Sequence, residues 1–361
     1  MKLTNQSRVN IKVGLRFIVV FLLPLISLCL ALPAQANMGM KNLRGGMAFQ
    51  SCDRCPGVIV RQGLQMNGGT IEGNVQQLSA DFVHINNGST IMGDLLVPGG
   101  PDIVNNSNTV NSSNLVAFGC SSDLFNKYKV LLTGKITFTG QIVTQYPVTT
   151  LTPLAPVAAP TGNRQVILST VAQGEAFNND PNSSVNLRTL ILNSKVGAVQ
   201  VAPGSYEKLV ANSGSQLVLG NASARPDNPA VYNLQDLTLN SGSDLVVIGY
   251  VQVRVQRSLV VGAGATAGVK VGGPTTEDAN LTIDPGVDSL TINTTTSQDI
   301  TQLRVDGVGN IILNSQGVLC GVINAPNTTI TVNSQSKLIG NIKADKLVVH
   351  NDGMVKAICL Q

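Results

Sequence analysis

The chain has no tryptophan, aromatic residues make up 4% of it, charged residues 12%, and there are two histidines. A wide globular core usually takes much of its bulk from Phe, Tyr and Trp. Their scarcity points to a narrow interior filled by aliphatic side chains. The two histidines, His84 and His350, leave little imidazole for general acid–base work. Repeats laid down in chain order place them near opposite ends, so both read as surface or strand residues. No Gly-x-Ser-x-Gly elbow, P-loop or dinucleotide fingerprint occurs.

Basic charge is also missing once the first residues are set apart. Lys2, Arg8, Lys12 and Arg16 precede an apolar run, Phe17 to Leu32, and then Ala34-Gln35-Ala36. This is the pattern of a secretory signal peptide over 1–36, cut after Ala36. The run is short for a membrane span and broken by Pro24. Cys29 follows Leu28, where a lipobox would have a small residue. The four leader charges are all basic, so the exported chain has 24 − 4 = 20 Lys+Arg against 20 Asp+Glu. A chain near zero net charge with no basic run is not expected to bind nucleic acid, nor a membrane after cleavage. The expected location is extracellular or the cell envelope.

What the chain does have is repetition. Asn314-Ser315-Gln316-Gly317-Val318-Leu319-Cys320-Gly321-Val322-Ile323-Asn324-Ala325 returns nineteen residues later (333 − 314) as Asn333-Ser334-Gln335-Ser336-Lys337-Leu338-Ile339-Gly340-Asn341-Ile342-Lys343-Ala344. Asn67-Gly68-Gly69-Thr70-Ile71-Glu72-Gly73 returns after twenty as Asn87-Gly88-Ser89-Thr90-Ile91-Met92-Gly93. The shared Leu and Ile of the first pair fall at odd offsets, the period of a strand. Short strands with Asn/Gly corners at this spacing predict an all-β fold, a right-handed parallel β-helix of about 19–20 residues per coil. Identical positions would then stack ~4.8 Å apart, so that aligned Asn side chains bond along a ladder.

The organisation expected along the chain is an N-terminal cap over 37–62, coils with a loop excursion over 63–147, a Pro-rich linker over 148–164, and C-terminal coils over 165–361. The excursion is the Pro, Gly, Asn and Ser-rich stretch 98–122. The linker carries Pro153, Pro156 and Pro160 and reads as a spacer or a strap along the surface. Asn212-Ser213-Gly214-Ser215 matches Asn240-Ser241-Gly242-Ser243 at a spacing of 28, one coil plus an insertion over 221–230.

Val201-Ala202-Pro203-Gly204-Ser205-Tyr206, the Leu-Val-x-Asn-Ser-Gly-Ser run at 209–215, the run 236–243 and Cys320 to Asn333 together resemble a bacterial family. It comprises secreted parallel β-helix domains of uncharacterised function, found in pilus-associated (PilX-like) and other cell-surface proteins. The resemblance spans roughly 60–100 and 195–355. It rests on turn and core motifs, implies a surface or extracellular setting, and brings no catalytic residues with it.

The enzyme class to weigh is the pectate-lyase-like polysaccharide lyase or hydrolase, which shares such a fold. It needs acidic Ca²⁺ ligands beside a base, or clustered carboxylates. Glu277, Asp278, Asp284, Asp288, Asp299 and Asp306, with Arg304 nearby, are scattered and read as solvated turn acids. Thr294-Thr295-Thr296 and Thr329-Ile330-Thr331 hint at an ice-binding face, but the pattern is absent from most coils. Of the exported cysteines, Cys52 and Cys55 form one C-x-x-C, half a zinc site with no partner pair. The expected disulfide lies within the cap or runs to Cys120. Cys320 and Cys359, two coils or ~9.6 Å apart, exceed bonding reach. No catalytic residue, cofactor or metal is assigned. The expected function is a non-enzymatic structural or adhesive module of the cell surface or extracellular matrix, with polysaccharide, surface proteins or further copies of itself as partners; the alternative is the carbohydrate-active enzyme, with its site under the 98–122 or 221–230 loops.

Overall fold

The computed structural model describes residues 54–79, 81–117, 128–269 and 303–360, all in the compact unit Ser51–Gln361. The signal-peptide reading and most of the cap lie outside these residues. The described chain is all-β apart from one short α-helix and one 3-10 turn.

In chain order, β1 is Val58–Asn67, β2 Gly69–Glu72, β3 Val75–Gln77, β4 Phe82–Ile85, β5 Ser89–Met92 and β6 Leu95–Leu96. Then come β7 Asp102–Ser107, β8 Leu115–Ala117, β9 Lys129–Gly134, β10 Thr137–Phe138 and β11 Ile142–Thr144. After β12, Arg164–Leu168, the helix α1 covers Val171–Asn179. The series resumes with β13 Leu187–Leu192, β14 Gly197–Val201, β15 Gly204–Ala211, β16 Ser215–Gly220, β17 Ala230–Leu239 and β18 Asp244–Ile248. It ends with β19 Val251–Val261, β20 Thr266–Val269, β21 Leu303–Gly307, β22 Asn310–Leu313, β23 Val318–Val332, β24 Lys337–His350 and β25 Met354–Ala357.

Every pairing between these strands is parallel, and the pairs assemble into three ladders. The first runs β12–β13–β15–β17–β19–β22–β23–β24–β1–β4–β9–β7. The second runs β14–β16–β18–β20–β23–β24–β25–β2–β5–β10. The third joins the first halves of β15, β17 and β19 to β21, the middles of β23 and β24, the start of β1, then β3, β6, β11 and β8.

The chain does not climb this stack in order. It enters in the middle at β1, builds outward to β11, crosses to the far end at β12, and climbs back until β24 and β25 seat against β1 and β2. The crossing is made by 147–163, which has no regular secondary structure. Ten ladder steps separate β9 from β12 (β9, β4, β1, β24, β23, β22, β19, β17, β15, β13, β12), about 48 Å at ~4.8 Å each. Extended chain at ~3.1 Å per residue spans the same distance over 147–163. Side chains anchor it on the way. Gln76 Nε2 donates to Pro147 O at 2.8 Å, Asn327 Nδ2 to Leu154 O at 3.3 Å, and Gln235 Nε2 to Ala158 O at 3.2 Å, while Val157 N donates to Gln256 Oε1 at 2.6 Å. Gln235, Gln256 and Asn327 lie where the register slips between the third and first ladders, so the strap follows a seam of unpaired positions.

The interior is the aliphatic column that the composition implies. Val199, Leu217, Leu245, Ala267, Leu319, Leu338, Val355, Ile71 and Ile91 face inward one above the next, and all are buried. Val355 over Ile71 shows that the column passes unbroken from the last strand of the chain to the second. Each Val, Leu or Ile of this column stabilises the fold by roughly 1.5–3 kcal/mol relative to exposure.

Two kinds of corner recur. Between the first and second ladders, Asn212, Asn240 and Asn333 open β-turns closed by Ser215, Ser243 and Ser336 N–H at 3.0–3.1 Å. Their third residues take positive φ, as a type II turn requires: Gly214 at 72°, Gly242 at 64° and Gln335 at 59°. Between the second and third ladders the corner is glycine. A Cβ on Gly93 would strike the Gly73 carbonyl, one on Gly140 the Gly93 carbonyl, and one on Gly340 the Gly321 carbonyl. The glycine shared by both sequence repeats is thus fixed by the layer beneath it.

Two expectations about the chain are corrected. Val58 to Gln62, expected in a cap over the open end, begin β1 in the middle of the stack, between β24 and β3. The stretch 98–122 is not a plain excursion, because β7 and β8 within it pair with β9 and β11. Its strands escape the sequence pattern because Asp102, Asn105 and Asn106 are exposed at the end of the stack, where no apolar alternation is needed.

Candidate functional surfaces

Two clefts lie beside the loops that the sequence singles out. The one at the 221–230 insertion, about 390 Å³, is lined by Pro203, Gly204, Asn221, Ser223, Asn228 and neighbours, with neither an acid nor a base among them. The other, about 570 Å³, is lined by Gly100, Pro101, Asp102, Tyr128 and Lys129. It offers one carboxylate and one ammonium. Tyr128 Oη donates to Pro98 O at 2.9 Å, and burial pushes its phenol above the usual range, so it stays protonated.

Of the acids weighed for catalysis, Glu277, Asp278, Asp284, Asp288 and Asp299 fall outside the described residues. Asp306 is described, and it is not a solvated turn acid. It sits in β21 with its side chain 3% exposed. It accepts from Arg304 Nε at 3.0 Å, from Asn324 Nδ2 at 3.1 Å and from Gln252 Nε2. Gln252 and Asn324 donate from the rungs on either side and Arg304 from the same strand, which makes it a tie between layers rather than a free base. The period-2 pattern Leu303-Arg304-Val305-Asp306 signals its place in a strand.

The histidines are also corrected. His84 pairs in register with Gln65, and His350 with Asn67 two residues further along the same strand, β1. They flank one strand instead of occupying opposite ends, because β24 seats on β1. The His84 ring is tilted against Phe82, ring centroids 5.3 Å apart, and Lys346 Nζ lies 5.8 Å from the Phe82 centroid.

The cysteine pairing changes for the same reason. Cys55 is bonded to Cys359, Cα–Cα 5.9 Å, across 304 residues of sequence. Chain-order stacking puts these two residues at opposite ends; the actual order makes them neighbours. Cys52 and Cys120, the other cysteines of the expected pairing, lie outside the described residues. Cys320 is a free thiol, buried with Val318 and Ile339 on the outer side of the second ladder. Burial pushes its pKa up to about 12, opposed by nearby Lys356.

The outward sides of the ladders carry the remaining surface chemistry. On the first ladder, Ile167, Ile191, Val210, Val260, Ile312, Val348, Leu131 and Val104 form much of one outward column, interrupted by Thr238, Thr331, Gln65 and His84. Beside it runs a column of turn amides: Asn86 Nδ2 donates to Asn67 Oδ1 at 2.8 Å, Asn240 to Asn212 at 2.6 Å and Asn333 to Asn314 at 3.2 Å. Thr329 and Thr331 have Lys346 and Val348 as next-rung neighbours, so they do not extend into a threonine array. Charges at the corner near the strap are paired: Arg257 holds Glu207 at 2.5 Å and Asp236 at 2.6 Å, and Arg61 holds Asp345 at 2.7 Å. Those carboxylates raise the Arg257 pKa further, so it is a fixed cation.

Among the described residues, no cluster of three or more His, Cys, Asp or Glu could hold a metal ion, and no helix is long and apolar enough to cross a membrane. No protein-family model, curated protein or solved structure matches the chain.

Proposed function

We propose that this chain is a secreted, right-handed parallel β-helix of about 19–20 residues per coil, working as a rigid non-enzymatic module of the bacterial cell surface or extracellular matrix. Pairing offsets of nineteen between β23 and β24 and of twenty between β2 and β5 support the coil length. The resemblance to secreted β-helix domains of pilus-associated and other surface proteins supports the setting. The observation that carries the reading is what the long outward faces are made of. They present columns of amide, hydroxyl and aliphatic groups at ~4.8 Å spacing, whose polar members are bonded to one another between rungs. Repeated spacing on a stiff support suits adhesion to an extended polymer better than chemistry at a point.

The test is incubation of the exported protein with acidic and neutral polysaccharides, with and without Ca²⁺, following co-sedimentation and the release of reducing or unsaturated ends. Binding without product is the expected result. Product release abolished by Asp102→Asn would refute the reading and place an enzyme at the cleft beside Tyr128 and Lys129.

A further inference from the structure

The first ladder ends at β12 on one side and at β7 on the other, and each of these strands pairs, among the described residues, with one neighbour. Open strand edges are templates for another strand, and proteins usually cover them. Here the second ladder has cover at the β12 end. Asn178 of α1 bonds Ala198 O at 2.9 Å and Gln200 N at 2.9 Å across the edge of β14, and Ser184 accepts from Ala202 N at 3.3 Å. Among the described residues, β12 has no such cover. Ile167, in its middle, is 58% exposed, and Val171 and Val185 on the same end are each 53% exposed. Exposed apolar residues gathered at an open edge mark an interaction surface.

We infer that the β7 edge of one copy pairs with the β12 edge of the next, so that copies of this chain join head to tail and continue the first ladder from molecule to molecule. The inference rests on the β-helix reading above and names a second copy as the partner for its ends.

Register argues for this occupant. Within each copy, Gln165 and Ile167 belong to the outward columns that Asp102 and Val104 also occupy. Setting Ile103 opposite Val166 therefore extends every column. Val104 lies over Ile167 in the aliphatic column, Asn106 over Ser169 in the amide–hydroxyl column, and Asp102 over Gln165, next to Arg164. The Asn106–Ser169 step repeats one already present, where Asn193 Nδ2 donates to Ser169 Oγ at 2.8 Å.

Backbone groups agree. In a parallel strand, alternate residues direct N–H and C=O to opposite sides. Arg164 N bonds Asn186 O and Leu168 O accepts from Asn193 N, so Gln165 and Ile167 present their groups to the open side. Asp102 N bonds Tyr128 O, so Ile103 and Asn105 present theirs at the other end. In the stated register Ile103 N–H meets Gln165 C=O, and Ile167 N–H meets Ile103 C=O. The two edges differ, so the contact is heterologous and does not close on itself; it generates linear chains.

The test is sedimentation across a concentration series, with electron microscopy of the concentrated protein. Wild type is expected to form linear oligomers. Ile167→Lys, at an exposed position, is expected to keep the wild-type circular dichroism and melting curve while weakening association at least tenfold. Val104→Lys does the same from the other edge. Each variant keeps one sound end, so an equal mixture is expected to stop at dimers. Wild type that stays monomeric throughout, association unchanged by Ile167→Lys, or a mixture that grows long chains would overturn the inference. Polysaccharide binding measured on Ile167→Lys separates the two readings, since a monomer that binds leaves the adhesive function standing if self-association fails.

Discussion

Replacing both Cys55 and Cys359 with serine removes the covalent tie between the first and last rungs that the chain order brings together. In the chain-entropy description, a bond closing 304 residues restricts the unfolded state by about 5–6 kcal/mol. Measured disulfides more often contribute about 2–4 kcal/mol, because real unfolded chains retain some order. The native contacts at this junction are extensive without the bond: β1 pairs with β24 from Val58 to Asn67, and Val355 stacks on Ile71. The folded state should therefore survive the substitution, with the loss appearing as easier unfolding. With no tryptophan in the chain, far-UV circular dichroism in a urea series is the suitable assay. The expected outcome is a stability lower by about 2–4 kcal/mol, and an equal loss when wild type is reduced. Unchanged midpoints in both experiments, or peptide mapping that recovers Cys55 bonded to a cysteine other than Cys359, would refute the junction.

Three further outcomes follow from single positions. Gly340→Ala drives a methyl group into the Gly321 carbonyl at a φ of 144°, and should destabilise by about 3 kcal/mol or more in the same urea assay. Asn333→Ala breaks one rung of the turn-amide column and should cost about 0.5–1.5 kcal/mol, with the far-UV spectrum unchanged. Cys320 should resist alkylation in the folded protein and react once unfolded. Its folded pKa is raised from 9.0 to about 12, so its contribution to stability is complete below pH 9 and is lost as the pH climbs toward 12. Urea midpoints of wild type and Cys320→Ala between pH 8 and pH 11 would check the sign: the variant's midpoint should fall less steeply.

Much of the architecture was legible because it is written locally. The Asn-Ser-Gly-Ser corners, the odd-offset Leu and Ile, and the glycine common to each repeat all report one rung and its neighbour, and the pairs at nineteen and twenty residues appear as registers in the fold. What stayed hidden is non-local. Nothing in the repeat distinguishes a rung whose neighbour is the next stretch of chain from one whose neighbour lies hundreds of residues away, since both present the same inward aliphatic and outward polar column. Val355 on Ile71 is as good a step as Ile71 on Ile91. The misplacement of His84, His350, Cys55 and Cys359 has that single origin. Asp306 was missed differently: an acid in a strand reads as a solvated face until the amides above and below it are known.

The order of the stack also dictates how it can be completed. The smaller part of the stack, 54–146, which is synthesised before the rest, has its inner seat on β24 and β25, the last strands made. Until those strands form, β1 and β2 expose on one side the edge and the aliphatic column that a neighbouring rung should cover. Contacts between such distant parts of the chain must meet their loop-closure entropy before they contribute, which slows folding and leaves strand edges open to wrong partners. The strap 147–163 is anchored at four points along the stack by Gln76, Asn327, Gln256 and Gln235, which limits how far apart its two parts can lie. Cys55–Cys359 ties the junction covalently. The edges of β1 and β2 are thereby buried inside the stack for good, while β7 and β12 remain the strands at which the first ladder can be extended.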